Sequence, residues 1–317
     1  MEKESLHIDY DTHWKEITAN LFEDFVSFFL PEAYELIDFE AEIEFLEQEL
    51  HKIVADNSKK GKIINDKLVK VQLKSGKEKW ILIHIEVQST EEVSFSKRMF
   101  SYFYRIFDQY SQEITAIAIY IGEKIPENFD HYSYDFLGTK VRYEFNTYVV
   151  KDQKESDLIN LSNPFALAIL ATKYLHKSKS DSLKRFAFKR KLVKLAKKQN
   201  YEDHQIIHLL KFIALILRLP SDLENQFAEE TIKEYTNPKK METQQSRVFA
   251  NQLYIALRGE SMAEFESKVE KKSDEKRLVD KTLSTGKMLQ SGKLSVAEIA
   301  NMLNVSEDFV QEVQSKI

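Results

Sequence analysis

The sequence predicts a mixed α/β core that closes near residue 150, followed by an all-helical extension. Three observations predict it. A β-hairpin pattern runs from Asp66 to Gln88. Two further strand-like runs follow, ITAIAIYIG ending at Gly122 and VRYEFNTYVV ending at Val150. Helical periodicity fills the chain before, between and after them. With only 7 Gly and 5 Pro among 317 residues, long helices are favoured over a loop-rich all-β fold. An apolar content of 43%, including 21 Phe and 14 Tyr, is enough for a sizeable core.

Residues 11–50 read as helical. Asp11 or Thr12 caps a helix whose apolar face holds Trp14, Ile17, Leu21, Phe22, Phe25, Phe28 and Phe29, and Pro31 ends it or starts the next turn. The acidic run EAEIEFLEQELHKI continues this helical reading, with a solvated outer face. In the hairpin, DKLVKVQL alternates, Lys74 to Glu78 turns, and WILIHIEVQ is β-branched and aromatic. The segment SFSKRMFSYFYRIFDQY is a helix with a stripe of Phe95, Met99, Tyr102, Phe103, Ile106 and Phe107; Arg98 and Arg105 project from a similar side. A linker containing Pro126 and Gly138 joins the last two strands.

From Asn163 the character changes. Pro164 opens a helix, Asp181 caps a second that runs to about Gln199, and a third spans Asp203 to Leu219 before Pro220. The second carries eight Lys and Arg between Lys184 and Lys198 and no acid. It reads as a solvated basic face packed on acidic neighbours, with a phosphate-contacting helix as the alternative. Residues 243–286 form charged helix with a break at Arg258-Gly259-Glu260. In the tail, Ser295 and Glu298 make a capping box, Asn304 ends that helix and Ser306 caps another. The pair resembles a helix-turn-helix, but two acids open its second helix and would meet phosphates poorly. It reads as a packing or homo-oligomerisation element rather than a DNA reader.

Composition sets bounds on function. The absence of cysteine excludes disulfides and thiolate zinc sites and fits a reducing, cytoplasmic setting. The N-terminus lacks the apolar core of a signal peptide, and the most apolar run, Phe212 to Leu219, is too short to span a bilayer, so no membrane partner is expected. A net charge of −5 exerts no global pull on nucleic acid, so any such binding needs local basic patches.

The chemistry concentrates in the hairpin. Alternation puts Ile81, Ile83, Ile85 and Val87 on one face and Trp80, Leu82, His84, Glu86 and Gln88 on the other. A hairpin symmetric about Gly76 sets Asp66 directly opposite Glu86, with Cβ atoms about 4.5–5.5 Å apart. Facing carboxylates repel unless a cation or a proton lies between them, which points to a hard divalent metal. The plain alternative is a solvated edge on which Lys67, Lys70 and Lys74 neutralise the acids.

Taken together, DKLVKVQL, WILIHIEVQS, KRMFSYFYRIF, ITAIAIYIG and YEFNTYVV resemble the transposase-like, recombination-promoting nuclease branch of the PD-(D/E)xK superfamily, over roughly residues 11–236. The resemblance implies a restriction-endonuclease-like mixed sheet flanked by helices. It implies a nuclease core over residues 1–150, a helical extension over 151–240, and a charged helical tail with the helix-turn-helix-like motif over 241–317. It implies Mg²⁺ or Mn²⁺ as cofactor and DNA as partner. By position, Asp66 is the acid of the first motif strand, Glu86 the acid of the ExK motif, and Gln88 stands where the lysine would be. Asp11, Glu16 and Glu23 are candidates for a further acid from the first helix, with Asp11 preferred because DTHWK matches the branch. Glutamine can orient a water but carries no charge. Electrostatic work then moves to the metal, to Arg98, or to Lys70, which shares the Asp66 face by alternation.

Overall fold

The computed structural model of this chain describes residues 10–46, 67–86, 95–236, 243–259, 262–292 and 294–316. They form two compact units, one ending at Phe249 and the other starting at Ala250.

In the first unit, helix α1 (Tyr10–Asn20) and helix α2 (Phe22–Phe29) replace the single helix expected there, and Pro31 opens the short α3 (Pro31–Tyr34). The break falls at Leu21, whose φ of −125° and ψ of 48° leave the helical region. Asp11 and Thr12 lie inside the first turn of α1 instead of capping it. The described start of the acidic segment, residues 40–46, holds a short strand where a helix was expected, and the rest of the segment lies outside the described residues. This strand, β1 (Glu44–Phe45), pairs antiparallel with β2 (Lys67–Gln72), and the Leu46 amide continues the contact by donating to the Leu68 carbonyl at 2.8 Å. The EIEF alternation already carried that period of two, and an edge strand satisfies backbone groups of β2 that would otherwise be orphaned.

β2 pairs antiparallel with β3 (Glu78–Glu86). Helix α4 (Phe95–Tyr110) then crosses to β4 (Ile114–Tyr120), which lies parallel to β3. The expected linker is itself a strand: β5 (His131–Phe136) and β6 (Thr139–Glu144) form a separate two-stranded sheet. The expected last strand therefore divides at Phe145, and only β7 (Asn146–Val149) joins the main sheet, parallel to β4. The order of the main sheet is β1-β2-β3-β4-β7.

Both faces of this sheet are covered. Leu68, Trp80, Leu82, Ala116, Ala118 and Tyr120 pack under Phe95, Met99, Tyr102 and Ile106 of α4. Full burial of such a side chain stabilises by about 1.5–3 kcal/mol. The β5–β6 hairpin leans on the outer side of α4 through Phe100–Tyr132 (5.0 Å) and Phe103–Tyr143 (4.6 Å). On the opposite face α2 spans the sheet, from Phe22 against Phe45 of β1 (5.7 Å) to Phe29 against Tyr148 of β7 (4.9 Å).

The helical extension packs on that second face. After α5 (Glu155–Ile159) comes α6 (Pro164–Ser178), buried along most of its length and therefore apolar on all sides. Asn163 caps it by accepting from the Phe165 amide at 2.8 Å, and its amide group donates to the Asp24 carbonyl and to Ser27 Oγ, each at 2.9 Å. Helices α7 (Ser182–Lys198), α8 (Asp203–Ile216) and α9 (Ser221–Tyr235) complete the layer. Asp181 caps α7 through the Lys184 amide at 2.9 Å, as its position in the sequence suggested.

Helix α10 (Gln244–Arg258) leads into the second unit and ends at Gly259, whose φ of +70° suits a residue without Cβ. Helix α11 (Met262–Ser291) is followed by α12 (Val296–Leu303) and α13 (Glu307–Ser315). The capping box at Ser295 and Glu298 is formed, Asn304 takes a left-handed conformation, and Ser306 Oγ accepts from the Phe309 amide. Ile299, Ala300 and Val310 make the small core of this unit. Among the described residues no helix is long and apolar enough to cross a membrane.

Candidate active site

The hairpin turn decides the register. The Leu73 amide donates to the Lys77 carbonyl at 2.8 Å and the Gly76 amide to the Leu73 carbonyl at 2.7 Å. The loop is therefore Lys74-Ser75-Gly76, centred on Ser75, with Gly76 at φ +79° in the left-handed position that closes a three-residue turn. Symmetry about Gly76 fails for this reason. Lys67 pairs with Ile83, where the expected register set it against Ile85. A shift of two keeps each residue on its expected face but changes every cross-strand partner. The register that placed Asp66 opposite Glu86 is thus not that of the described ladder. Asp66 and Gln88 themselves lie outside the described residues.

Glu86 is the last residue of β3, and its Cα partner is Tyr120, the last residue of β4. Its place in the strand shares the parity of Trp80 and Leu82, the face that α4 covers. Arg98 sits in the first turn of α4 with its guanidinium 5.5 Å from the centre of the Phe95 ring. Phe95 in turn meets Tyr120 edge-on at 5.4 Å. The start of α4 is thereby anchored at the sheet edge where β3 and β4 both end.

The acids of the N-terminal helices have different surroundings. Glu16 is ion-paired with Lys211 of α8. Glu23 accepts from the Tyr34 hydroxyl at 3.2 Å. Asp11 is the second residue of α1, beside Tyr10, which lines a cavity at the end of β4. Asp24, not singled out from the sequence, accepts from Gln205 Nε2 at 2.8 and 3.0 Å, and burial raises its carboxyl pKa. It bolts α2 to α8 and has a structural part.

Lys70 stands near the hairpin turn, away from Glu86. It pairs with Glu44 at 2.9 Å and Glu78 at 3.4 Å, and its Cα partner is Trp80. Trp80 lies six positions before Glu86 on β3, about 20 Å at the usual strand rise. Lys67 belongs to the other face and stands 4.9 Å over the Phe45 ring.

The cavity has a volume of about 410 Å³, and its walls include Tyr10, Trp14, Ile121, Glu123, His176 and Arg185. A hydrogen bond of 2.9 Å joins His176 Nε2 to the Ile121 carbonyl and holds α6 against the end of β4. Arg185 donates to Ser178 Oγ at 3.2 Å, to the Arg218 carbonyl at 2.8 Å and to the Lys179 carbonyl. Burial raises the Tyr10 phenol pKa, against the opposing pull of Arg185 and Arg218. Sequence reasoning did not single out His176, Arg185 or Glu123 for this place. They come from elements far apart in the chain, and only Glu123, just past a strand-ending glycine, carried any local hint.

Among the described residues no three His, Cys, Asp or Glu side chains are grouped to hold a metal ion. No family model, curated protein or solved structure matches the chain.

Proposed function

We propose that this chain is a metal-dependent DNA endonuclease of the restriction-endonuclease-like class, in the recombination-promoting, transposase-like branch its sequence resembles. The observation that supports this reading most is the strand arrangement. An antiparallel β1-β2-β3 meander is followed by a helical crossover to β4, parallel to β3, with Glu86 closing β3 at the edge where both parallel strands end. In open sheets of this kind ligands sit outside the carboxyl ends of parallel strands.

In this reading Asp66 and Glu86 hold Mg²⁺ or Mn²⁺. One or two carboxylates completed by water suit Mg²⁺, which keeps much of its hydration shell. The metal, when bound, supplies Lewis-acid polarisation of the phosphate and lowers the pKa of the attacking water. Gln88 orients that water through its amide, Arg98 offsets the charge that develops on the phosphoryl oxygens, and Asp11 brings a further acid from α1. Water adds to phosphorus as the bond to the departing sugar oxygen breaks, leaving a phosphate monoester and a hydroxyl.

The experiment is plasmid nicking with Mg²⁺ by wild type and by Asp66→Ala and Glu86→Ala. Loss of metal-dependent nicking in both variants, with unchanged circular dichroism, supports the reading; wild-type rates in either variant end it.

One observation favours a second reading, a catalytically weak nuclease fold acting as a DNA-binding or protein-interaction module. Gln88 carries no charge, and Lys70, held near the turn by Glu44 and Glu78, supplies none at Glu86. Titration calorimetry with Mg²⁺ and Mn²⁺ separates the two. DNA binding without metal binding at millimolar concentration selects the module.

A further inference from the structure

Apart from Arg185, the cations of the basic helix α7 fall into two sets. One set faces α9 and is neutralised there: Lys189 with Glu224 at 2.7 Å, Arg190 with Glu230 at 2.9 Å, and Lys197 with Glu234 at 2.7 Å. Lys184, Lys191, Lys194 and Lys198 are exposed, and among the described residues none of them is in an ion pair. Their spacing of seven, three and four residues places them within a single arc of roughly 80° on the helix. Along the axis they span about 21 Å at 1.5 Å per residue. Lys191 is held in place by standing 5.1 Å over the Tyr174 ring, which stacks on Phe188 at 4.2 Å.

A face that serves only solubility intersperses both signs of charge. On the helix itself this one carries a single sign, in a chain with a net charge of −5, although Glu155 of α5, ion-paired with Lys177, also acts on Lys191. The helix offers no acid between Ser182 and Lys198, and the three α9 carboxylates that pair with it engage its other side. The stripe also has a defined origin. Arg185, next to Lys184, lines the cavity at the end of β4, the edge at which β3 ends with Glu86.

We propose that the Lys184–Lys191–Lys194–Lys198 stripe is a track for the phosphate backbone of duplex DNA leading to that sheet edge. This inference rests on the endonuclease reading for the identity of its ligand. Duplex DNA presents one charge per about 1.7 Å of axis, so a cationic line of this length meets several phosphates at once. Binding of this kind is independent of base sequence and falls steeply with salt.

The test is fluorescence anisotropy of a labelled 20-base-pair duplex in EDTA, which removes cutting from the readout, over a series of salt concentrations. The full chain is compared with the quadruple variant K184Q/K191Q/K194Q/K198Q. None of the four lysines is in an ion pair among the described residues, so the quadruple variant keeps its circular dichroism, and loss of the Lys191–Tyr174 contact costs it about 0.5–1 kcal/mol. The expected result is a salt slope shallower by about three to four, roughly 0.9 per lost phosphate contact, and binding weaker by tenfold or more at low salt. An unchanged slope in the quadruple variant overturns the proposal. So does wild-type protein that ignores duplex DNA, or that prefers vesicles of anionic lipid over it. A quadruple variant that loses the slope supports the track even if the wild type never nicks a plasmid, a result that removes only the endonuclease reading.

Discussion

The ring of Phe95 meets the ring of Tyr120 edge-on, 5.4 Å between centres and 66° between planes. The contact joins the first turn of α4 to the last residue of β4, and Tyr120 is the Cα partner of Glu86. The Tyr120 hydroxyl donates onward to the Phe129 carbonyl. Arg98 thus begins a helix whose start is fixed by packing at the strand ends. Phe95→Ala is expected to cost about 3–5 kcal/mol through lost burial and the cavity it leaves. Tyr120→Phe, which removes only the hydroxyl, is expected to cost about 1 kcal/mol, more if the Phe129 carbonyl is left unsatisfied. Urea unfolding of both variants checks the pair of values; a Phe95→Ala protein as stable as wild type would show that this anchor carries no weight.

On the endonuclease reading, Gln88→Lys adds the charge that the resembled superfamily's pattern places beside the scissile phosphate and raises the nicking rate. Lys70→Ala is expected to leave that rate alone, because Lys70 lies about 20 Å from Glu86 along the strand direction. It also changes stability by no more than about 1 kcal/mol, since both of its ion pairs are exposed. Plasmid nicking and melting curves of the two variants decide. A strong loss of nicking on Lys70→Ala contradicts the placement.

Lys189 is fully buried, donates to Glu224 at 2.7 and 2.8 Å, and lies 4.4 Å over the Phe227 ring. Burial, only partly offset by Glu224, lowers its pKa to about 8 from 10.5. The unfolded chain therefore holds this proton more tightly than the folded one. Between about pH 8 and the unfolded value near 10.5, the unfolded state binds more protons, so this group's contribution to stability rises with pH. Lys189→Met, close in volume, removes that contribution. The difference in unfolding free energy between wild type and variant, measured by urea at pH 7.5, 9 and 10, is expected to shift toward the wild type as pH rises. A difference independent of pH would mean that Lys189 does not titrate in this window.

Asn163 does three jobs at one junction, capping α6 and donating to the Asp24 carbonyl and to Ser27 Oγ. Asn163→Ala loses the cap and leaves the partly buried polar groups of α2 without their donor. The expected cost is about 2–4 kcal/mol, and the amides of α2 and of the first turn of α6 should exchange faster with solvent. Hydrogen exchange that speeds up only in α6 would show that the link to α2 contributes nothing.

Element types were legible where the signal is local. The Ser295–Glu298 capping box, the left-handed Asn304, the Asp181 cap and the stop at Gly259 follow from side-chain and backbone chemistry within a few residues. The buried face of α4 followed from period at Phe95, Met99, Tyr102 and Ile106, whereas Phe103 is half-buried against the β5–β6 hairpin and Phe107 is 50% exposed. Legibility failed where two readings share a local pattern. The EIEF alternation was overridden by the helix-forming acids around it, and VRYEFNTYVV reads as one strand although Phe145 divides it between two sheets.

The sequence by itself determined the supply of parts: the strands and helices of a mixed α/β core, their caps, an acid closing the central strand, and a helix rich in lysine and arginine. These follow from propensity and periodicity, which act over a few bonds. Only the tertiary structure decided the hairpin register, because the left-handed Gly76 centres the turn on Ser75 and moves every pairing by two. It also decided that Glu16 and Glu23 are engaged elsewhere, that Lys70 is remote from Glu86, and that α7 keeps one cationic face paired and another open. Those outcomes depend on which distant side chains meet, and sequence spacing does not encode such distances.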